Sequence, residues 1–198
     1  RYNQYSILEF MEELKKIEEF RESYFPVLEV ANKTSILIDG VAASWYGVTN
    51  VGTMLHNSKY ENGGDFPDYL LRLTLKAFRS HFKSMVFDIV MYVPPTISGD
   101  LVKNFAEKIA RTLRFEFSNG IAKTRVTEAQ KVFESAIGKK ENLKDAFTTQ
   151  VDVRGKKILL IDDIFDSGST IKEIASMLKR HGAELVAPLV IAKTVGGR

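Results

Sequence analysis

The chain has 198 residues, of which 44% are hydrophobic and 27% charged, the proportions of one folded globular domain or a domain with an appendage. Its formal net charge is only +3 and it contains no cysteine, which excludes disulfide scaffolds and thiolate metal centres and gives no strong electrostatic case for a nucleic-acid partner. No apolar run approaches the ~20 residues of a membrane span and no signal-peptide pattern is present, so a cytoplasmic protein with no membrane attachment is expected.

Ile7, Phe10, Met11, Leu14, Ile17, Phe20 and Tyr24 recur at three- and four-residue steps, the spacing of an amphipathic helix over 5–25. Residues 1–33 are therefore expected as a helical segment or linker, followed by one domain over 34–198 with its core at about 85–198. The chain opens on Arg1 and closes on "KTVGGR", which reads as a piece of a longer polypeptide. Thr34–Thr53 suggests short strands with turns at Gly40 and Gly47. Asn62-Gly63-Gly64 marks a loop, Pro67 suits a helix's first turn, and Leu70, Leu71, Leu73, Leu75 and Phe78 continue as that helix.

From there the chain alternates. Val86–Val93 predicts a strand, Leu101–Leu113 a helix, and Arg114–Ala122 a strand. A long stretch rich in Lys, Arg and Thr follows. Lys156–Asp162 predicts a strand, Ile171–His181 a helix closed by Gly182, and Ala183–Ala192 a last strand. This order predicts an α/β fold, a mainly parallel twisted sheet flanked by helices. Ligands of such sheets sit beyond the carboxyl ends of the strands, so the loops Pro94–Asp100 and Asp162–Thr170 share one rim if their strands are neighbours.

"KKILLIDDIFDSGSTIKEI" (Lys156–Ile174) carries the chemistry. Thr170 and Glu173 have capping-box spacing, which predicts a helix starting at Thr170. The backbone N–H groups and hydroxyls of Ser167, Gly168, Ser169 and Thr170 can then converge on a phosphate with no basic side chain. Asp162 and Asp163 end the preceding strand. Alternation points them to opposite faces, yet at a twisting strand end both can reach vicinal sugar hydroxyls. A phosphorylated ribose satisfies both halves. The plainer alternative is acidic solvation followed by a capped helix. No Walker loop, with its Gly-x-x-x-x-Gly-Lys signature, is present. His56, His81 and His181 are scattered, and no protein metal site is expected from them.

"ILLIDDIFDSGST" resembles the ribose-phosphate signature of type I phosphoribosyltransferases, and Arg125, Thr127, Gln130, Asn142, Ala146 and Phe147 resemble a pattern of their ComF-like branch. "SKYENGGDFPDYL" and "VIAKTVGG" also resemble phosphoribosyltransferase-like domains fused to RecQ-type DNA helicases. The resemblance implies that fold with a small N-terminal hood, where Trp45 and Tyr46 would lie. It implies binding of phosphoribosyl pyrophosphate (PRPP), with the 5′-phosphate on Ser167–Thr170 and the sugar hydroxyls on Asp162 and Asp163. Thr96, Ser98 and Lys103 would meet the pyrophosphate, although this loop lacks the arginines of ComF proteins. Arg125, with Lys123, Lys139 and Lys140, would supply a cation from a lid. Asp166 would assist proton transfer at the acceptor base, or merely shape its loop. The expected cofactor is Mg²⁺, held mainly by substrate oxygens. Expected partners are PRPP or another phosphorylated ribose, a fused or separate DNA helicase, and a second copy in a homodimer. Two functions follow: Mg²⁺-dependent transfer of phosphoribose to a nitrogen acceptor, or a module that senses PRPP or a nucleotide for a DNA-processing protein. A scaffold without ligand is the third.

Overall fold

A computed structural model of the chain describes residues 25–29, 36–47, 49–61, 65–95, 99–124 and 145–195. Residues 5–24 of the helix expected over 5–25, the loop at 62–64, Thr96, Ser98 and the lid residues from Arg125 to Lys144 lie outside the described residues.

Eight strands and four helices are described. In chain order they are β1 (Val27–Leu28), β2 (Gly40–Tyr46), α1 (Asn50–Tyr60), α2 (Asp68–Phe82), β3 (Ile89–Tyr92), α3 (Leu101–Leu113), β4 (Glu116–Phe117), β5 (Ile121–Lys123), β6 (Phe147–Thr149), β7 (Lys157–Phe165), α4 (Ser169–Arg180) and β8 (Leu185–Thr194). Six strands form one sheet in the order β1-β2-β8-β7-β3-β4, and all its pairs are parallel except β1–β2. β5 and β6 form a separate antiparallel pair. The architecture is an α/β fold with a mainly parallel sheet flanked by helices, as the alternation predicts. The edge strand β1 falls inside 1–33 and pairs Val27 with Val41.

Alternation along the strands divides the core. Leu159 and Ile161 of β7 pack with Leu55 of α1, Leu70 and Phe78 of α2, and Phe105 and Ile109 of α3. Ile158 and Leu160 point the other way, to Ile174 and Leu178 of α4 and to Ile121 and Phe147 of the small sheet. Both faces of the central strands are covered, which is why these strands read as unbroken apolar runs.

The segment Thr34–Thr53 differs from expectation. Gly40 opens β2 instead of turning the chain. A Cβ there would lie 2.1 Å from the Pro188 carbonyl oxygen, so glycine allows β2 to close on β8 beside a proline. Gly47 does turn, with φ +87. Thr49 then caps α1, its Oγ1 accepting from the Val51 N–H at 3.3 Å. Arg114–Ala122 is two strands, β4 in the main sheet and β5 in the small one.

The connections set the place of any ligand. α3 carries the chain from β3 outward to β4 over one face; α4 carries it from β7 to β8 over the opposite face. Adjacent strands β3 and β7 thus send their crossovers in opposite directions, and the crevice beyond their carboxyl ends is the switch point of the sheet.

Candidate functional site

β3 and β7 pair through Tyr92 and Ile161, so the two loops expected at one rim do leave neighbouring strands. β7 runs on past the aspartates to Phe165, and only Asp166, Ser167 and Gly168 separate it from α4. Gly168 is the residue before the helix and adopts φ 70 and ψ 5. A Cβ on it would stand 2.7 Å from Cζ of Phe165, so both its backbone and its surroundings demand glycine.

The expected capping box does not form. α4 begins at Ser169 with no side-chain cap. The left-handed glycine turns the chain into the helix one residue early, and Glu173 instead accepts from the Asp145 N–H at 3.1 Å. The first-turn N–H groups of α4 are therefore left to other acceptors. Ser167 Oγ and Ser169 Oγ lie 2.8 Å apart, and the Ser169 N–H approaches Ser167 Oγ at 3.4 Å. Hydroxyls that hold one another in this way rotate to donate outward when an anion arrives. The helix dipole adds positive potential at the same point.

Asp162 and Asp163 have different surroundings. Asp162 is partly buried and its Oδ1 accepts from the Asp163 N–H at 2.8 Å. Burial, and then the neighbouring Asp163 carboxylate, push the Asp162 carboxyl well above the usual carboxylate range, against the pull of that N–H and of Lys59. Asp163 is buried and forms an ion pair with Lys59 of α1. Asp166 is exposed, and its Oδ1 accepts from the Thr194 hydroxyl at 3.0 Å. Thr194 ends β8 beside Tyr46, so Asp166, Thr194, Trp45 and Tyr46 gather along the same carboxyl rim.

The loop after β3 is met from the side. Lys123 of β5 donates to the Pro95 carbonyl at 3.2 Å, and burial lowers the pKa of its ammonium. Lys103 lies 3.7 Å from Asp100, one helical turn away. Of the expected site residues, Asp162, Asp163, Asp166, Ser167, Gly168, Ser169 and Thr170 are thus brought together on β7 and its loop, and Lys103 stands on the helix after the neighbouring strand. Thr96, Ser98 and Arg125 lie outside the described residues. Lys59 was not expected. Its signal was faint: a lysine three residues before the loop marked by Asn62-Gly63-Gly64, four residues after Leu55 on a face that also buries Ser58.

Among the described residues no three His, Cys, Asp or Glu side chains gather to hold a metal ion. Asp163 is already paired, and Asp162 and Asp166 present single carboxyl groups.

Parts of the chain are similar to known proteins. Residues 104–196 match the phosphoribosyl transferase domain family. The DNA utilization protein YhgH of Escherichia coli (strain K12) is 38% identical over 78 residues, covering 39% of this chain and 34% of that protein. The match thus spans about a third of that relative's length. The transcriptional regulator GfcR of Methanobrevibacter smithii is 41% identical over 44 residues, 22% of each chain. Among solved structures, a hypoxanthine-guanine phosphoribosyltransferase from Bacillus anthracis aligns with 66% of this chain and 70% of its own, at 18% identity and a TM-score of 0.46.

Proposed function

We propose that the chain carries a type I phosphoribosyltransferase domain of ComF-like kind, a reading supported by its similarity to the phosphoribosyl transferase domain family and to the DNA utilization protein, and that it binds PRPP at the rim of β3 and β7 and transfers the phosphoribosyl group to a nitrogen acceptor. One observation supports this above all. A carboxyl able to take sugar hydroxyls and a glycine-hydroxyl turn able to take a phosphate lie on one strand end, at the switch point of the sheet.

The 5′-phosphate lies on Ser167–Thr170, where backbone N–H groups and hydroxyls supply the donors. Asp162 faces the ribose hydroxyls. In transfer, the bond from C1 to a pyrophosphate oxygen breaks, pyrophosphate leaves with the electron pair, and the acceptor nitrogen bonds to C1. The proton released from that nitrogen passes to Asp166, whose exposed carboxylate is oriented by Thr194. When bound, Mg²⁺ neutralises charge on the pyrophosphate and ribose oxygens. Asp162 and Asp166 would tune the surroundings of that ion without forming a protein cage. A DNA-metabolism setting is supported by the similarity to the DNA utilization protein.

A second use of the same pocket, sensing PRPP for a DNA-processing partner such as a helicase, is favoured by Lys103. Its ammonium lies 3.7 Å from Asp100 at the start of its own helix, so its charge is shared with an acid and not reserved for a leaving pyrophosphate. Calorimetric titration of PRPP with Mg²⁺ into wild type and Asp162→Asn tests the shared site. Saturable binding that is lost in the variant is the expected result. No heat from a folded wild-type sample at millimolar PRPP overturns both uses. Pyrophosphate release with a panel of purine bases and amines then separates transfer from sensing.

A further inference from the structure

Lysine is seldom buried unless paired. Lys59 lies in the last turn of α1, where a cation also suits the helix dipole. Its side chain is only 14% exposed, and its ammonium meets an Asp163 carboxylate that is 12% exposed. Asp163 is one of four buried polar residues described, with Ser44, Ser58 and Thr74. Two buried ions joined in this way hold each other in place, since removing either strands the other charge away from water.

Strand alternation gives the pair its meaning. Asp163 follows Leu159 and Ile161, which pack with α1, α2 and α3. Asp162 follows Ile158 and Leu160, which pack with α4, the helix whose first turn bears the hydroxyl loop. The two carboxyl groups therefore belong to different faces, and only Asp162 shares the face of the phosphate turn. The site must also admit a ligand bearing phosphate charge. Two uncompensated carboxylates at one strand end oppose that ligand, and a cation on one of them relieves the opposition.

We propose that Lys59 is a positioning residue for the sugar subsite: it draws Asp163 against α1 and neutralises it, so that Asp162 alone of the acid pair is presented to the ribose hydroxyls. This assignment rests on the phosphoribose site proposed above and divides the labour of its two acids. The helix that precedes the parallel core becomes part of the ligand site through one buried ion pair.

The test is calorimetric titration of ribose 5-phosphate, and separately of inorganic phosphate, into wild type, Lys59→Met, Lys59→Arg and the double variant Lys59→Met/Asp163→Asn. The ratio of the two affinities is the readout, because a loss of fold lowers both together. Lys59→Met leaves the Asp163 charge beside Asp162 and is expected to weaken ribose 5-phosphate about tenfold relative to phosphate, the worth of one charge-assisted hydrogen bond. Lys59→Arg restores the ratio. The double variant removes both charges, leaves neither stranded, and is expected to return the ratio to within about threefold of wild type. If Lys59→Met does not fold, the double variant decides by itself. A double variant that keeps phosphate binding but has lost the sugar preference shows that Asp163 itself meets the sugar, and overturns the proposal. So does a Lys59→Met protein with the wild-type ratio. A wild type that binds phosphate with no preference for ribose 5-phosphate instead overturns the phosphoribose site, and the role of Lys59 with it.

Discussion

The two loops that meet at the rim are built from opposite materials. The loop after β7 is a tight turn: Gly168 is left-handed and lies against Phe165, two serine hydroxyls bond to each other, and α4 opens at once. Its donors are backbone N–H groups and hydroxyls. The loop after β3 begins with Pro94 and Pro95, which carry no N–H, and the Pro95 carbonyl is occupied by an ammonium from β5. Its cations, Lys103 and Lys123, stand on other elements. The first loop offers backbone donors in a fixed turn, where the phosphate is proposed to bind. Among the described residues of the second, the cationic groups come from neighbouring elements. A ligand with a permanent phosphate at one end and a departing pyrophosphate at the other suits this difference.

Glycine substitution breaks the comparison most directly. Gly168 and Gly99 both have positive φ, +70 and +57. A Cβ at Gly168 meets Phe165 ring atoms at 2.7 and 2.9 Å, whereas a Cβ at Gly99 meets nothing within 4 Å. Gly168→Ala therefore combines backbone strain with a clash, costing about 1–3 kcal/mol, and tilts the turn that aims the donors. Its expected result is a lower melting temperature and at least a roughly tenfold loss of phosphate affinity. Gly99→Ala carries only the backbone penalty, about 1 kcal/mol, and leaves phosphate affinity near wild type. Thermal melts and phosphate titrations of the two variants check this. Equal losses of affinity would remove the distinction between the loops.

The next effect is a pH dependence at Asp162. Burial and the Asp163 charge raise its folded-state pKa, while the unfolded chain ionises near 3.9. Between the ordinary value and the raised one the folded state holds a proton that the unfolded state has lost. Stability then falls as pH rises through that window. Asp162→Asn keeps an acceptor for the Asp163 N–H and has no charge to suppress. The difference in melting temperature, variant minus wild type, is expected to grow from pH 4 to pH 8. Each kcal/mol corresponds to about 2–4 °C in a protein of this size. A constant difference across that range would show that Asp162 ionises normally in the folded chain.

Much of this contrast was legible in sequence, for physical reasons that also explain the failures. α3 was expected over Leu101–Leu113 and occupies that range, because its apolar residues keep one helical stripe from end to end. The β7–turn–α4 unit was legible because an apolar run, two acids and a glycine-hydroxyl turn each carry a separate signal. α1 was not: Val51, Gly52 and Thr53 are poor helix formers at its start, and only the Thr49 cap and the packing of Leu55 reveal it. Lys59 was invisible for a related cause, since a lysine in sequence reads as a solvated residue and its burial is decided by a strand about a hundred positions away. The two-strand β5–β6 sheet was missed because each strand has three residues and gains its stability from pairing and from Ile121 and Phe147 in the core. The capping box failed because a glycine free to adopt positive φ made a side-chain cap unnecessary.

The smallest expected effect tests the second loop on its own terms. Lys103 and Asp100 are 34% and 72% exposed and 3.7 Å apart, so their pair contributes at most about 0.5 kcal/mol. Lys103→Met is therefore expected to melt with wild type. Its value lies in comparing ligands. On the proposed site, ribose 5-phosphate would fill only the β7 side of the rim, whereas PRPP would also reach toward β3. If Lys103 leaves Asp100 for the pyrophosphate, the variant weakens PRPP several-fold, about 1 kcal/mol, and leaves ribose 5-phosphate unchanged. If both ligands bind as in wild type, the charge of Lys103 stays on its own helix, and the loop after β3 holds pyrophosphate by other groups or not at all. Among the described residues, the second result would remove the lysine of this helix as an aid to pyrophosphate departure, and so would shift the weight from transfer toward sensing.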